Sequence, residues 1–266
     1  MDSSAIQTIR DMAIIHSAND TDLPIIVIPD NHQVVALEKY ENHPFRFRGT
    51  FKTSLIKEFV SYINKNCEIN TSAVFIDPEK EIAHGIIDFG THEKPLWRDH
   101  VAQLKLKPSP EFKKLIALNN VHLSQEEFID FCNDHYLNMK FFNENDEAID
   151  FRPSISAIRK LSITETKNND IEINNFSSSN SALDAIEIKA GGTKPPYSFK
   201  FICRPYDSLK PLTLTCQIRA IAKEKTVDFK YRIALLDQTI NNVGLEFKTL
   251  LENLLDGPKI YTGTMD

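Results

Sequence analysis

Apolar residues at Ile6, Ile9, Met12, Ala13 and Ile14 recur near helical spacing, and the polar run from Ser17 to Asp22 closes the segment. The pattern predicts a short amphipathic helix over residues 4–18. Leu23 to Pro29 is a β-branched run, Asp30-Asn31-His32 a turn and Gln33 to Leu37 a second extended stretch, which together predict a hairpin. Phe45, Phe47 and Phe51 alternate with Arg46, Arg48 and Lys52. A strand there would turn its rings to one side and its cations to the other. Thr53 or Ser54 is placed to cap a helix with the stripe Leu55, Ile56, Phe59, Val60 and Ile63.

Ala73 to Ile76, a turn at Asp77-Pro78-Glu79-Lys80, Ile82 to Phe89, and then Val101 to Leu106 predict a small antiparallel meander. Ser109-Pro110 sets a cap and a first-turn proline before Phe112, Leu115, Ile116 and Leu118. Ser124-Gln125-Glu126-Glu127 is a capping box before Phe128, Ile129, Phe131 and Cys132. Helical spacing resumes near Ile155, Ile158 and Leu161. From Thr164 to Pro196 the chain turns to Asn, Ser, Thr and Lys with thin apolar alternation, which reads as a weak strand pair or an extended arm. Tyr197 to Cys203, Leu212 to Ala222 and Val227 to Leu235 alternate strongly. A helical stripe from Ile240 to Leu255 then ends at Gly257-Pro258. The fold class expected is α+β. Residues 1–162 form an N-terminal half with a small sheet and helices, 163–196 a polar arm, and 197–266 an antiparallel sheet with a closing helix.

Composition narrows the function classes. Of 266 residues 41% are hydrophobic, enough for a real core, and the formal net charge of -6 argues against a chain coated in nucleic acid while leaving room for a local basic strip. No run approaches the roughly 18 apolar residues of a membrane span. Arg10, Asp11, His16 and Asp20 stand where a signal peptide would be apolar, so the expected location is the cytoplasm. Cys67, Cys132, Cys203 and Cys216 show no metal-site spacing and read as buried free thiols.

The densest chemistry lies in Asp88-Phe89-Gly90-Thr91-His92-Glu93-Lys94-Pro95-Leu96-Trp97-Arg98-Asp99-His100, which holds the only Trp. As a metal site it needs His92, Asp99 and His100 to converge with Asp88 or Glu93. As plain structure, His92 caps a turn, Asp99 pairs with Arg98 or Arg46, and Trp97 plugs the core. Gly90 and Pro95 break the segment, so the eight-residue recurrence of His84, His92 and His100 gives no assured common face. No Gly-x-Ser-x-Gly occurs. Cys132 and His135 lie three apart on a predicted helix, but Cys132 belongs to its apolar stripe. Asp77, Asp88 and Lys105 supply the ingredients of a magnesium-dependent nuclease without its spacing. The Phe45 to Lys52 strand mixes rings and cations as single-strand platforms do, though on opposite faces.

The Pro24-Ile25-Ile26-Val27-Ile28-Pro29 strand, Arg46-Phe47-Arg48-Gly49-Thr50-Phe51, the helix ending Tyr62-Ile63-Asn64 and the Phe75-Ile76-Asp77 strand carry a resemblance. With Trp97-Arg98-Asp99-His100, Ser109-Pro110-Glu111-Phe112 and Phe229-Lys230-Tyr231-Arg232, they resemble the YfdQ-like family of phage and prophage proteins, over nearly the whole chain. The resemblance implies a phage or prophage origin in a host-cell cytoplasm and brings no catalytic residues.

The function expected is therefore non-enzymatic: binding to a host defence or nucleic-acid-processing complex through Arg46, Arg48, Lys52, His92, Trp97, Arg98, Asp99 and His100. No catalytic residue, metal or cofactor is assigned, and self-association is expected through residues 163–196. Two alternatives stand beside it. One is a single-stranded nucleic-acid-binding accessory of recombination using Arg46, Arg48, Lys52 and Trp97, and the other a metal-dependent hydrolase at His92, Asp99 and His100.

Overall fold

The structure, a computed structural model, describes residues 3–19, 37–161, 195–223 and 226–265. The chain forms two compact units, residues 1–47 and 48–266. The first contains helix α1 (Ser3–Asn19), as its spacing predicts, and a 3₁₀ turn at Leu37–Tyr40. The hairpin expected over 23–37 lies outside the described residues apart from Leu37, which belongs to that turn.

In the second unit the elements run β1 (Gly49–Thr53), α2 (Ile56–Asn66), β2 (Ala73–Asp77), β3 (Ile82–Ile86), β4 (His100–Lys105), α3 (Pro110–Ala117), β5 (Leu123–Ser124) and α4 (Gln125–Asp134). Then follow β6 (Met139–Phe142), β7 (Ala148–Ile149), α5 (Phe151–Lys160), β8 (Ser198–Cys203), β9 (Leu212–Lys223), β10 (Thr226–Ile233), α6 (Leu236–Leu254) and β11 (Lys259–Thr262). They build two sheets, one mixed and one antiparallel, an α+β fold.

The first sheet has the order β1-β4-β3-β2-β11. Its centre is the predicted meander, but both edges are parallel additions, β1 along β4 and β11 along β2. Alternation in sequence reports which residues face the core and is silent about which strand is the neighbour. On one face Val74, Ile76, Ala83, Ala102 and Leu104 are buried beneath Ile56, Phe59 and Ile63 of α2 and Val243, Phe247 and Leu251 of α6. The second sheet, β5-β10-β9-β8-β6-β7, is antiparallel throughout. Phe199, Phe201, Cys216, Phe229 and Tyr231 share its core with Phe128 and Phe131 of α4 and Ile155 and Ile158 of α5.

The caps predicted for α3 and α4 form. The Ser109 hydroxyl accepts the Phe112 amide at 3.3 Å and donates to the Arg204 carbonyl at 2.7 Å, tying α3 to the chain after β8. Ser124 and Glu127 close a complete capping box on α4.

Three expectations are corrected. The closing helix α6 buries its stripe in the first sheet rather than against the strands that precede it, and β5 to β7 join the second sheet from before residue 162. A division at 162 and 197 therefore runs through both sheets. The strand expected at 45–52 begins only at Gly49, whose N–H donates to the Asp99 carbonyl at 2.8 Å. Pairing with β4 starts at Gly49 opposite His100, and Phe45 and Phe47 are exposed. Helix α2 starts at Ile56 behind Leu55 without a side-chain cap, while the Thr53 hydroxyl accepts the Leu55 amide. The polar arm lies outside the described residues except for Pro195 and Pro196.

Candidate functional site

Between β3 and β4 the chain leaves the sheet in a narrow hairpin-like loop. The last rung is the Ile87 N–H to the His100 carbonyl at 2.9 Å, followed by Arg98 N–H to Asp88 carbonyl at 3.2 Å and Leu96 N–H to Phe89 carbonyl at 3.4 Å. Gly90 and Pro95 form an antiparallel bridge, and the tip closes with the Thr91 N–H on the Lys94 carbonyl and the Lys94 N–H on the Thr91 hydroxyl, both at 3.0 Å. A side chain on Gly90, at φ +81°, would run into the backbone of Lys94 and Leu96, so the two arms can approach only across a glycine.

The base of the loop is clamped by one carboxylate. Asp88 Oδ2 accepts the Asp99 N–H at 3.1 Å and Oδ1 the His100 N–H at 2.9 Å, an arrangement that uses an ionised acceptor for two backbone donors. The Gly90 N–H donates to the Thr71 carbonyl at 2.8 Å and holds the loop against the strand beside it. Arg98 takes a left-handed backbone, φ 59°, a conformation that costs a non-glycine residue on the order of 1–3 kcal/mol and is held by its surroundings. Its guanidinium lies 4.8 Å from the centre of the Phe89 ring.

This frame presents His92, Glu93, Lys94, Leu96, Trp97 and Arg98 to solvent. Trp97 is 74% exposed, so it does not plug the core. The turn is capped by Thr91, and His92 is simply at its tip. His100 is half-buried at the base, where Nε2 meets the Tyr62 hydroxyl at 2.9 Å and Tyr62 stacks on Phe51 with centroids 4.5 Å apart. Desolvation lowers the His100 pKa from its ordinary value, against the opposing pull of Asp88, so the ring is neutral at neutral pH.

The structure thus gathers His92, Trp97, Arg98, Asp99 and His100 on one loop. Lys52 is exposed on β1, Arg48 is exposed just before it, and Arg46 belongs to the first unit. His84 pairs with Gln103 on the opposite face of the sheet from His100, so the eight-residue recurrence makes no shared surface. Among the described residues no three His, Cys, Asp or Glu are placed to hold a metal ion. Asp77 and Asp88 stand at opposite ends of the β2–β3 pair. Asp77 binds the Glu79 and Lys80 amides of its own turn, at 3.1 and 3.2 Å.

The cysteines are free thiols, as their spacing predicts, with Cys67 half-buried and the other three buried. Burial pushes Cys203 up to about 11 and Cys132 higher still, which leaves Cys132 an inert thiol beside an α4 core. His135 packs edge-on against Phe131 and Phe201. A cleft of about 190 Å³ between Leu55, Lys107, Ser109, Tyr206 and Asp207 is below the roughly 300–1,000 Å³ of organic-ligand sites.

One grouping escapes the sequence. Tyr261 stacks on Phe75 with centroids 5.2 Å apart, Phe75 meets Phe89 at 5.7 Å, and Phe89 carries Arg98, so a row of rings leads from the far edge of the first sheet to the loop. The alternation of Ala73 to Asp77 signals that Phe75 leaves the core face, but nothing local pairs it with residue 261.

Among the described residues no helix is long and apolar enough to cross a membrane. Residues 1–265 match the model of a family described as an uncharacterized conserved protein. No curated protein and no solved structure matches the chain.

Proposed function

The chain belongs to the DUF2303 family, and from that premise we propose that it is a phage-encoded protein that works by binding a host defence or nucleic-acid-processing complex. One observation carries the reading: the only tryptophan stands 74% exposed on a loop whose base is clamped by Asp88. Exposed indoles and guanidiniums held on rigid frames are the usual anchors of protein interfaces, because little conformational freedom is lost when they dock. Leu96 and Arg98 flank Trp97, and Arg98 is already braced on Phe89. The resemblance to phage and prophage proteins supports the origin, and self-association through residues 163–196 belongs to the same proposal on the strength of their composition.

The test is affinity purification from host cells with the wild-type chain, Trp97→Ala, and Tyr136→Ala as an exposed aromatic elsewhere on the surface. A partner retained by wild type and Tyr136→Ala and lost by Trp97→Ala supports the reading. An unchanged set of partners on Trp97→Ala, or none enriched by the wild type, overturns it.

A further inference from the structure

The face of the first sheet opposite α2 and α6 brings aromatic rings and lysines together. The strand registers align Tyr261, Phe75, His84, Gln103 and Lys52 across all five strands, with Lys259 and Lys105 in the neighbouring rows. Phe75, His84 and Gln103 are half-buried, while Lys52, Lys105, Lys259 and Tyr261 are exposed, Tyr261 by 44%. The five strands place one carboxylate on this face, Asp77, and it is engaged by two turn amides and by Lys80 at 3.5 Å. Three lysines against one occupied acid reverse the sign of a chain whose net charge is -6.

The rings are arranged for more than packing. Phe75 lies against one side of Tyr261, with planes 18° apart, and among the described residues β11 is an edge strand with no strand on the other side. A flat group placed there would extend the stack through Tyr261 and Phe75. At about 4.8 Å per strand the row from Tyr261 to Lys52 spans roughly 19 Å, room for several nucleotides.

We propose that this sheet face binds single-stranded nucleic acid, with an unpaired base stacked on the outer side of Tyr261 and the phosphate backbone met by Lys259, Lys105 and Lys52. Lysines alone would suit any polyanion, but an edge ring continuing a stack suits a base, and a duplex keeps its bases paired and stacked on one another. The other sheet offers the contrast. Its outward residues include Lys140, Lys200, Lys230 and Arg232, and its ring there, Phe142, is covered by the Lys200 ammonium at 4.2 Å. The proposal goes beyond partner docking through Trp97 and does not depend on it, and of the Phe45 to Lys52 alternation it uses Lys52 alone.

Fluorescence anisotropy of the purified full chain with a labelled oligothymidylate of about twenty nucleotides, and with a duplex of equal length, tests it at about 50 mM salt and above. Preferential single-strand binding is expected, weakened about tenfold by Tyr261→Ala and retained by Tyr261→Phe. Changing Lys52, Lys105 and Lys259 together to Glu should weaken binding and flatten the log–log salt slope by about two. Arg232→Glu should leave it unchanged. The proposal is overturned if single strand and duplex bind alike, if Tyr261→Ala binds as wild type does, if Arg232→Glu rather than the lysine changes abolishes binding, or if nothing binds at low salt. The protein is alone in this assay, so its outcome is separate from that of the affinity purification.

Discussion

The carboxylate of Asp88 accepts the backbone N–H of His100 at 2.9 Å, and its second oxygen takes the neighbouring amide of Asp99. One side chain therefore closes the loop that carries Trp97. Asp88→Ala removes an ionised acceptor from two donors, and a loss of about 2 kcal/mol in unfolding free energy is expected. Hydrogen exchange should accelerate at the amides of Asp99 and His100, and denaturant unfolding gives the energy. Full protection of both amides in the variant would show that the clamp is dispensable.

His100 sets a pH dependence. Its folded pKa lies below the ordinary 6.5, chiefly from desolvation, so the unfolded chain takes up the proton first. Its contribution to stability is complete above pH 6.5 and is lost as pH falls from there through the folded pKa. His100→Gln keeps a hydrogen-bonding group for Tyr62 and removes the titration. The slope of stability against pH just below 6.5 should be shallower in the variant, read from urea midpoints across that range.

Glu81 behaves in the opposite sense. Burial, with a smaller push from Asp77, raises its carboxyl above the ordinary 4.5 even though Tyr206 hydrogen-bonds to it. A raised carboxyl pKa means the folded state holds the proton longer, so stability falls as pH rises from 4.5 through the folded pKa. Glu81→Gln should raise the thermal midpoint at neutral pH and make no gain in acid. Calorimetry at the two pH values decides.

Gly244 inverts an ordinary helix rule. Alanine in place of a mid-helix glycine usually gains up to about 1 kcal/mol, but here an added Cβ would press into the carbonyl of Pro78, where α6 crosses the β2–β3 turn. Gly244→Ala is expected to destabilise by about 1–3 kcal/mol. A stabilised variant in chemical denaturation would mean that the helix can lift from the turn at little cost.

What the sequence makes legible here is local. Ser109 before Pro110 and Ser124 before Glu127 specify their helix starts within four residues, and the turn at Asp77-Pro78 fixes the meander because its acid binds amides only two and three positions on. The edges β1 and β11 and the docking of α6 depend on partners far along the chain, which periodicity does not encode. The candidate loop was legible as a concentration of reactive side chains and illegible as a shape. An apolar indole reads as core material, and only the clamp at Asp88, the glycine at 90 and the left-handed Arg98 create a frame on which Trp97 stands in solvent.

Synthesis delivers the two sheets in an order that differs from the order of their strands. The second sheet has all its described strands once Ile233 has been made, whereas the first still lacks α6 and β11. Until residues 236–262 emerge from the ribosome, Val74, Ile76 and Leu104 lack the cover of Val243, Phe247 and Leu251, and the outer edge of β2 has no partner. A bare edge beside uncovered apolar side chains is the state most prone to pair with another nascent chain. The sheet that is begun first is the one finished last, and a ribosome stalled short of residue 259 would hold its most aggregation-prone form.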